Sequence, residues 1–192
     1  MPTRAHRSHV DDFFAPVRLW LVTDPALNDE VVLDTARRLD AAFGSAIGLW
    51  FRDKRPAPNV ALGKALQLTL QDARFVDSSS ALRASAHSWS EVENALRRGA
   101  AGIMLSPIFK QKFANPPTGV GFIEDMRAAF PEAYFYALGG VTVHNAPACV
   151  HAGASGVAVQ GAIWNATAPA AAAEEILRAV QGAAAAVVAD SS

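Results

Sequence analysis

The chain has 192 residues, 51% of them hydrophobic and 18% charged, with a net charge of −1. That composition can bury a core and excludes extended disorder. With no basic stripe or interleaved aromatic run, it also gives no footing for nucleic acid. The single cysteine, Cys149, cannot form an internal disulfide, which fits a reducing compartment.

The first elements follow from residue pattern. Residues 1–16 are polar and lack the apolar run of a secretory signal, so they read as a flexible arm before a single domain over 17–188. VRLWLVTD is a β-rich run with polar residues at its end. In the following segment Val32, Ala36, Leu39 and Phe43 fall at helical spacing, with Asn28 or Asp29 to cap the start and Gly44 to close the end. SAIGLWFRDK is a second strand ending in charge. HSWSEVENALRRG opens on Ser88 with Glu91 three residues later, the pattern of a capping box, and Gly99 sits where a helix stops. AGIMLSPIF is a buried strand, GFIEDMRAAF a helix stopped by Pro131, and further strands end at Gly139-Gly140 and at Gln160-Gly161. The alanine-rich C-terminus is interrupted by Glu174, Glu175 and Arg178, which makes it an amphipathic helix rather than a membrane span. A cytoplasmic location with no membrane partner is the expectation.

Alternating strands and helices define a parallel α/β fold. GAAGIMLSP and GASGVAVQG are echoes 54 residues apart, close to two units of a (β/α)8 barrel at about 31 residues per unit. That points to a TIM-type barrel with the two echoed strands in equivalent layers. A doubly wound sheet is the alternative. In a barrel the ligand site lies at the carboxyl ends of the strands, and here these ends carry Thr23-Asp24, Arg52-Asp53-Lys54, Ser85-Ala86-His87, Ser106-Pro107, Gly139-Gly140 and Gln160-Gly161. Two cations at i and i+2 share a face, an imidazole titrates near neutrality, and glycine lets main-chain N–H groups approach an anion. The set suits a phosphorylated, partly aromatic small molecule. Against these stand plainer readings: Cys149 and Trp50 as core, and His6, His9, His144 and His151 as arm, packing or surface residues.

LWLVTD, FRDK, ASAHS, AAGIMLSPIF, YALGGV and AGASGVAVQGAI, in this order from about Arg18 to Trp164, resemble the thiamin phosphate synthase/TenI family. The resemblance implies a (β/α)8 barrel acting in thiamin biosynthesis. Synthases of the family join hydroxymethylpyrimidine diphosphate to thiazole phosphate, releasing diphosphate with magnesium, while TenI-type members tautomerise the thiazole phosphate carboxylate. By resemblance, main-chain groups at Gly139, Gly140, Gln160 and Gly161 hold the thiazole phosphate, so the Gln160 side chain should matter little. Arg52, Lys54, Ser85 and Ser106 are the substrate-binding positions, and His87 is the proton-transfer residue.

Three departures qualify the match. Trp50 stands where the family has glutamine. The interval from Arg55 to Ala84 lacks both carboxylate segments that hold magnesium, so one βα unit is shortened or missing. The loop after SPIF also places Lys110 and Lys112 away from the family's pattern. The expectation is therefore an enzyme with no metal or other cofactor, carrying out TenI-like proton transfer. The alternatives are a synthase, which alone would need magnesium, and a non-catalytic or regulatory binder of the phosphorylated ligand. Homo-oligomerisation is left open.

Overall fold

A computed structural model describes residues 10–24, 26–53, 58–72, 74–77, 80, 83–110 and 116–190. The described residues contain seven strands: β1 (Leu19–Val22), β2 (Ile47–Phe51), β3 (Arg74–Asp77), β4 (Arg83–Ala86), β5 (Gly102–Leu105), β6 (Tyr134–Leu138) and β7 (Gly156–Val159). The helices are α1 (Asp29–Phe43), α2 (Val60–Thr69), α3 (Trp89–Arg97), α4 (Gly121–Ala129), α5 (Ala146–His151), α6 (Gly161–Trp164) and α7 (Pro169–Asp190). The expected start signals operate. Asn28 accepts from the N–H groups of Glu30 and Val31 at the head of α1, and Ser88 accepts from Glu91 N at the head of α3.

All strand pairs are parallel, in the order β3-β2-β1-β7-β6-β5-β4. This is a cyclic order cut once, between β3 and β4. A doubly wound sheet would instead reverse its order at a switch point. The fold is therefore a TIM-like curved parallel wall of seven strands, not a closed eight-stranded barrel. The strands ending at Gly139 and Gln160 are the sixth and seventh, where an eight-stranded barrel would make them the seventh and eighth.

Alternation along the strands divides the core into two. Leu19, Leu21, Leu49, Ile103, Phe135 and Val157 pack outward with helix residues such as Val32, Leu39, Ile123 and Leu177. Trp20, Val22, Trp50, Val76, Met104, Tyr136 and Ala158 pack with one another inside the curve. The echoed strands β5 and β7 flank β6, and their equivalent residues Met104 and Ala158 both face inward. Residues 10–14, assigned to the arm on sequence grounds, are helical instead. Their Phe14 is fully buried and touches the Trp20, Tyr134 and Tyr136 rings, so hydrophobic burial draws this segment onto the barrel's lower end. Residues 1–9 lie outside the described residues.

Arg83 spans the edge where β3 and β4 are unpaired. From the first position of β4, its Nε donates to the carbonyl of Asp77, the last residue of β3, at 3.1 Å. Its guanidinium carbon lies 4.1 Å from the centre of the Trp50 ring. Burial lowers its pKa to about 10 against the opposing pull of Asp77, so it remains a cation at neutral pH. A cation over an aromatic face is attracted by the ring quadrupole.

Large interior side chains are matched by glycines. A Cβ on Gly48 would sit 2.4 Å from the Trp20 ring, and one on Gly102 would sit 2.3 Å from the Phe14 ring. A rigid indole cannot yield to such an approach. Gly48→Ala is expected to destabilise the fold by about 1–3 kcal/mol, measured by urea unfolding, with partial recovery when Trp20→Leu is added. An unchanged urea midpoint for Gly48→Ala would show that the interior has slack.

Candidate functional site

At the carboxyl ends of the strands a cavity of about 470 Å3 opens between the β5–α4, β6–α5 and β7–α6 loops, with Arg52 from the end of β2 on its wall. The size falls within the usual range for small-ligand pockets, roughly 300–1,000 Å3. Arg52, Ser106, Gly139, Gly140, Gln160 and Gly161 all line it, so the fold brings together six of the positions singled out by sequence. Ser85 and His87 do not line it, and Lys54 lies outside the described residues.

Gly139 and Gly140 have φ of 98° and 78°, a conformation that favours glycine. They also seat a neighbouring loop. A Cβ on Gly139 would lie 3.0 Å from Pro107 Cα, and one on Gly140 would lie 2.7 Å from Lys110 Cβ. The carbonyl of Gly139 accepts from Phe109 N at 2.8 Å. The pair therefore docks the β5–α4 loop as well as edging the cavity. Asn145 fixes the turn from the other side, where its Nδ2 donates to Gly140 O at 3.0 Å and its Oδ1 accepts from Thr142 N at 2.7 Å. At the β7 end the N–H groups of Gly161 and Ala162 open a helical turn and have no intrahelical carbonyl to meet. Both residues line the cavity, as does Lys110.

The side chain of Gln160, expected to matter little, is engaged at both ends. Its Oε1 accepts from Arg52 Nη2 at 2.9 Å and its Nε2 donates to Asp24 Oδ2 at 2.5 Å. The backbone of Arg52 is held too, with its N–H donating to the buried Thr23 Oγ1 at 2.8 Å.

His87 stands beside the cavity. Its N–H donates to Glu91 Oε2 at 2.7 Å, which ties it to the head of α3. Its ring Nδ1 lies 2.5 Å from the carbonyl oxygen of Ser106 and 3.2 Å from the Ser106 hydroxyl. A carbonyl oxygen only accepts, so Nδ1 carries the proton and Nε2 is the acceptor of the neutral ring. Ser106 is 2% exposed and links the imidazole to the cavity wall. Cys149 is fully buried, and burial pushes its thiol up to about 12, so it stays protonated in the core.

The described carboxylates near the mouth are engaged by protein donors. Asp24 Oδ1 accepts from Ala26 N at 3.0 Å while Oδ2 accepts from Gln160. Asp53 accepts from Asn59 N at 2.8 Å. No cluster of three or more His, Cys, Asp or Glu suited to a metal exists among the described residues.

The fold and site define a TIM-like parallel βα protein with a cavity at the strand ends. The family model for thiamine monophosphate synthase matches residues 53–163, more than half of the chain, and the protein belongs to that family. It is 35% identical over 117 residues to a thiamine-phosphate synthase of Geobacillus thermodenitrificans, covering 58% of this chain and 53% of the relative. It is 34% identical over 119 residues to that of Bacillus velezensis, covering 58% and 53%. The chain thus spans about half the length of the curated relatives it matches. In structure it resembles the thiamine phosphate pyrophosphorylase of Pyrococcus furiosus, with a TM-score of 0.74 at 20% identity over 88% of this chain and 98% of the other. At that identity the likeness shows the fold alone. No described helix is long and apolar enough to cross a membrane.

Several site residues were not picked out from sequence. Asn145 sits five positions after Gly140, a spacing that carries no local signal. Lys110 stood out only as a displaced lysine. Because Asn145 makes two hydrogen bonds to the turn, Asn145→Ala is expected to cost about 1 kcal/mol, read as a fall in melting temperature. A melting temperature equal to wild type would mean that the turn holds itself.

Proposed function

We propose that the protein binds a thiazole phosphate in this cavity and joins it to a pyrimidine carried on a diphosphate, as a thiamin phosphate synthase does. The supporting observation is the convergence of the Gly139-Gly140 turn, the first turn of α6 and the cation Arg52 on one cavity. The names of the relatives point the same way. In this reading main-chain N–H groups hold the phosphate, helped by the partial positive charge of the loop and helix start.

The chemistry asks little proton transfer of the protein. The thiazole ring nitrogen has a lone pair and no proton to lose. It forms a bond to the pyrimidine methylene carbon as the carbon–oxygen bond to diphosphate breaks, and the electron pair leaves on the diphosphate. What must be met is the charge on that leaving group, and Arg52 and Lys110 are the cations on the cavity wall. The described carboxylates near the mouth already accept protein hydrogen bonds, so magnesium for this reaction would be held largely by substrate oxygens. EDTA is therefore expected to abolish diphosphate release. Full diphosphate release in EDTA would overturn that expectation.

Proton transfer on the thiazole phosphate carboxylate is a second reading, favoured by the His87–Ser106 contact. With Nδ1–H donated to the carbonyl of the cavity-lining Ser106, Nε2 is left as the ring's acceptor. The two reactions separate in one experiment. His87→Gln should cost about 10²–10⁴ in a tautomerisation rate while leaving diphosphate release unchanged. Purified protein is assayed with the thiazole phosphate carboxylate, and with thiazole phosphate plus pyrimidine diphosphate. Tight binding without turnover of either would instead make the protein a non-catalytic binder.

A further inference from the structure

We infer that Asp24 and Gln160 form a positioning relay that holds Arg52 toward an anionic ligand, although Asp24 itself does not line the cavity. The inference rests on the reading of the cavity as an anion site and adds to it which groups set the cation. The three residues come from three neighbouring parts of the wall. Asp24 follows β1, Arg52 follows β2, and Gln160 follows β7, with β1 between the other two strands.

The chemistry of the chain of contacts is directional. Both oxygens of Asp24 are acceptors in use, one from Ala26 N and one from Gln160. A carboxylate only accepts, so the Gln160 amide must turn its NH2 toward Asp24 and its oxygen toward Arg52. That oxygen is what Arg52 Nη2 needs at 2.9 Å. A guanidinium has five N–H donors in a fixed plane, and fixing one sets the direction of the rest. The Arg52 backbone is already pinned by Thr23 Oγ1. Asp24 thus specifies the orientation of Arg52 through a neutral amide, and it does so without neutralising the guanidinium by direct pairing.

Asp24→Asn separates this relay from plain electrostatics. The asparagine keeps shape and volume but has one oxygen for two donors. If that oxygen stays on Ala26 N, its NH2 faces Gln160, whose amide must flip, and Gln160 then presents NH2 to the Arg52 guanidinium. Donor meets donor, and Arg52 is released. Plain Coulomb reasoning gives the opposite sign, because removing a negative charge near an anion site should tighten anion binding.

The test is titration calorimetry of the full chain with inorganic phosphate and with diphosphate at fixed ionic strength. Asp24→Asn and Gln160→Leu are each expected to weaken diphosphate binding about tenfold, the scale of a hydrogen bond to a charged group. In an Arg52→Ala background neither should weaken it further, a coupling that a merely structural role would not produce. Melting temperatures identify any variant that fails to fold, and Gln160→Met is a second, shape-preserving break of the relay. Unchanged or tighter binding by folded Asp24→Asn overturns the relay and leaves the anion site standing. Equal weakening with and without Arg52 also overturns it. A wild-type chain that binds neither anion overturns the anion site and the relay together.

Discussion

Seven strands have to enclose an interior while one pair of neighbours stays unpaired, and the side chains that solve this constraint organise the molecule. The chain passes from the end of β3 to the start of β4 through residues 78–82 alone. A parallel crossover ordinarily needs a dozen or more residues and a helix. Among the described residues no strand pairing joins β3 to β4, and side chains supply the contact. Arg83 bonds the carbonyl of Asp77 and lies over Trp50, while Trp20, Phe14 and Tyr136 fill the space below in edge and tilted ring contacts. The packing is possible because Gly48 and Gly102 leave room for the rings of Trp20 and Phe14. A charged group in that position costs desolvation, visible in its lowered pKa, and the Trp50 face with the Asp77 carbonyl offsets part of it.

The opening and the cavity lie on different sectors of the wall. The cavity is built from the ends of β2, β5, β6 and β7, and β1 lies between β2 and β7 in an unbroken run of hydrogen-bonded strands. A binding site needs its groups held to fractions of an ångström by elements that do not move independently. Sector β5 to β2 meets that requirement through paired backbone. Asn145 adds a brace to the glycine turn, and Trp164 adds one at α6, where its Nε1 donates to Val22 O at 2.8 Å. The sector that lacks a unit is the one that, by family resemblance, would supply metal-binding carboxylates. The architecture therefore separates an intact, cavity-bearing half from a reduced half.

Legibility in the sequence followed the same division. α1 and α3 could be read because their caps are local chemistry: Asn28 and Ser88 bind N–H groups two or three residues on. The glycine turns could be read because a positive φ demands glycine wherever it occurs. The echo of β5 and β7 carried the barrel. Less could be read between Arg55 and Ala84, where α2 and the four residues of β3 offer little periodicity and a boundary pairing that depends on neighbours far away in sequence. The packing of Phe14 escaped for the same reason, since its partners Tyr134 and Tyr136 lie more than a hundred residues away. Gln160 was read at a strand end and assigned only its main chain, because nothing local shows that a side chain will reach both Asp24 and Arg52.

Arg52 shows why such a site can tolerate an incomplete barrel. A cation that binds phosphate through long-range attraction alone would be screened by salt and loosely oriented. Here the residue is anchored twice, by its backbone N–H on Thr23 Oγ1 and by one guanidinium Nη2 hydrogen on Gln160. Anchoring transfers the entropic cost of orienting a long side chain from the binding event to the folding event. The strands that provide the anchors, β1, β2 and β7, are mutual neighbours in the sheet. Their geometry relative to one another is fixed by main-chain pairing and does not require the wall to close between β3 and β4. Orientation of the cation then depends on the most continuous part of the fold, and the reduced sector can vary without moving it.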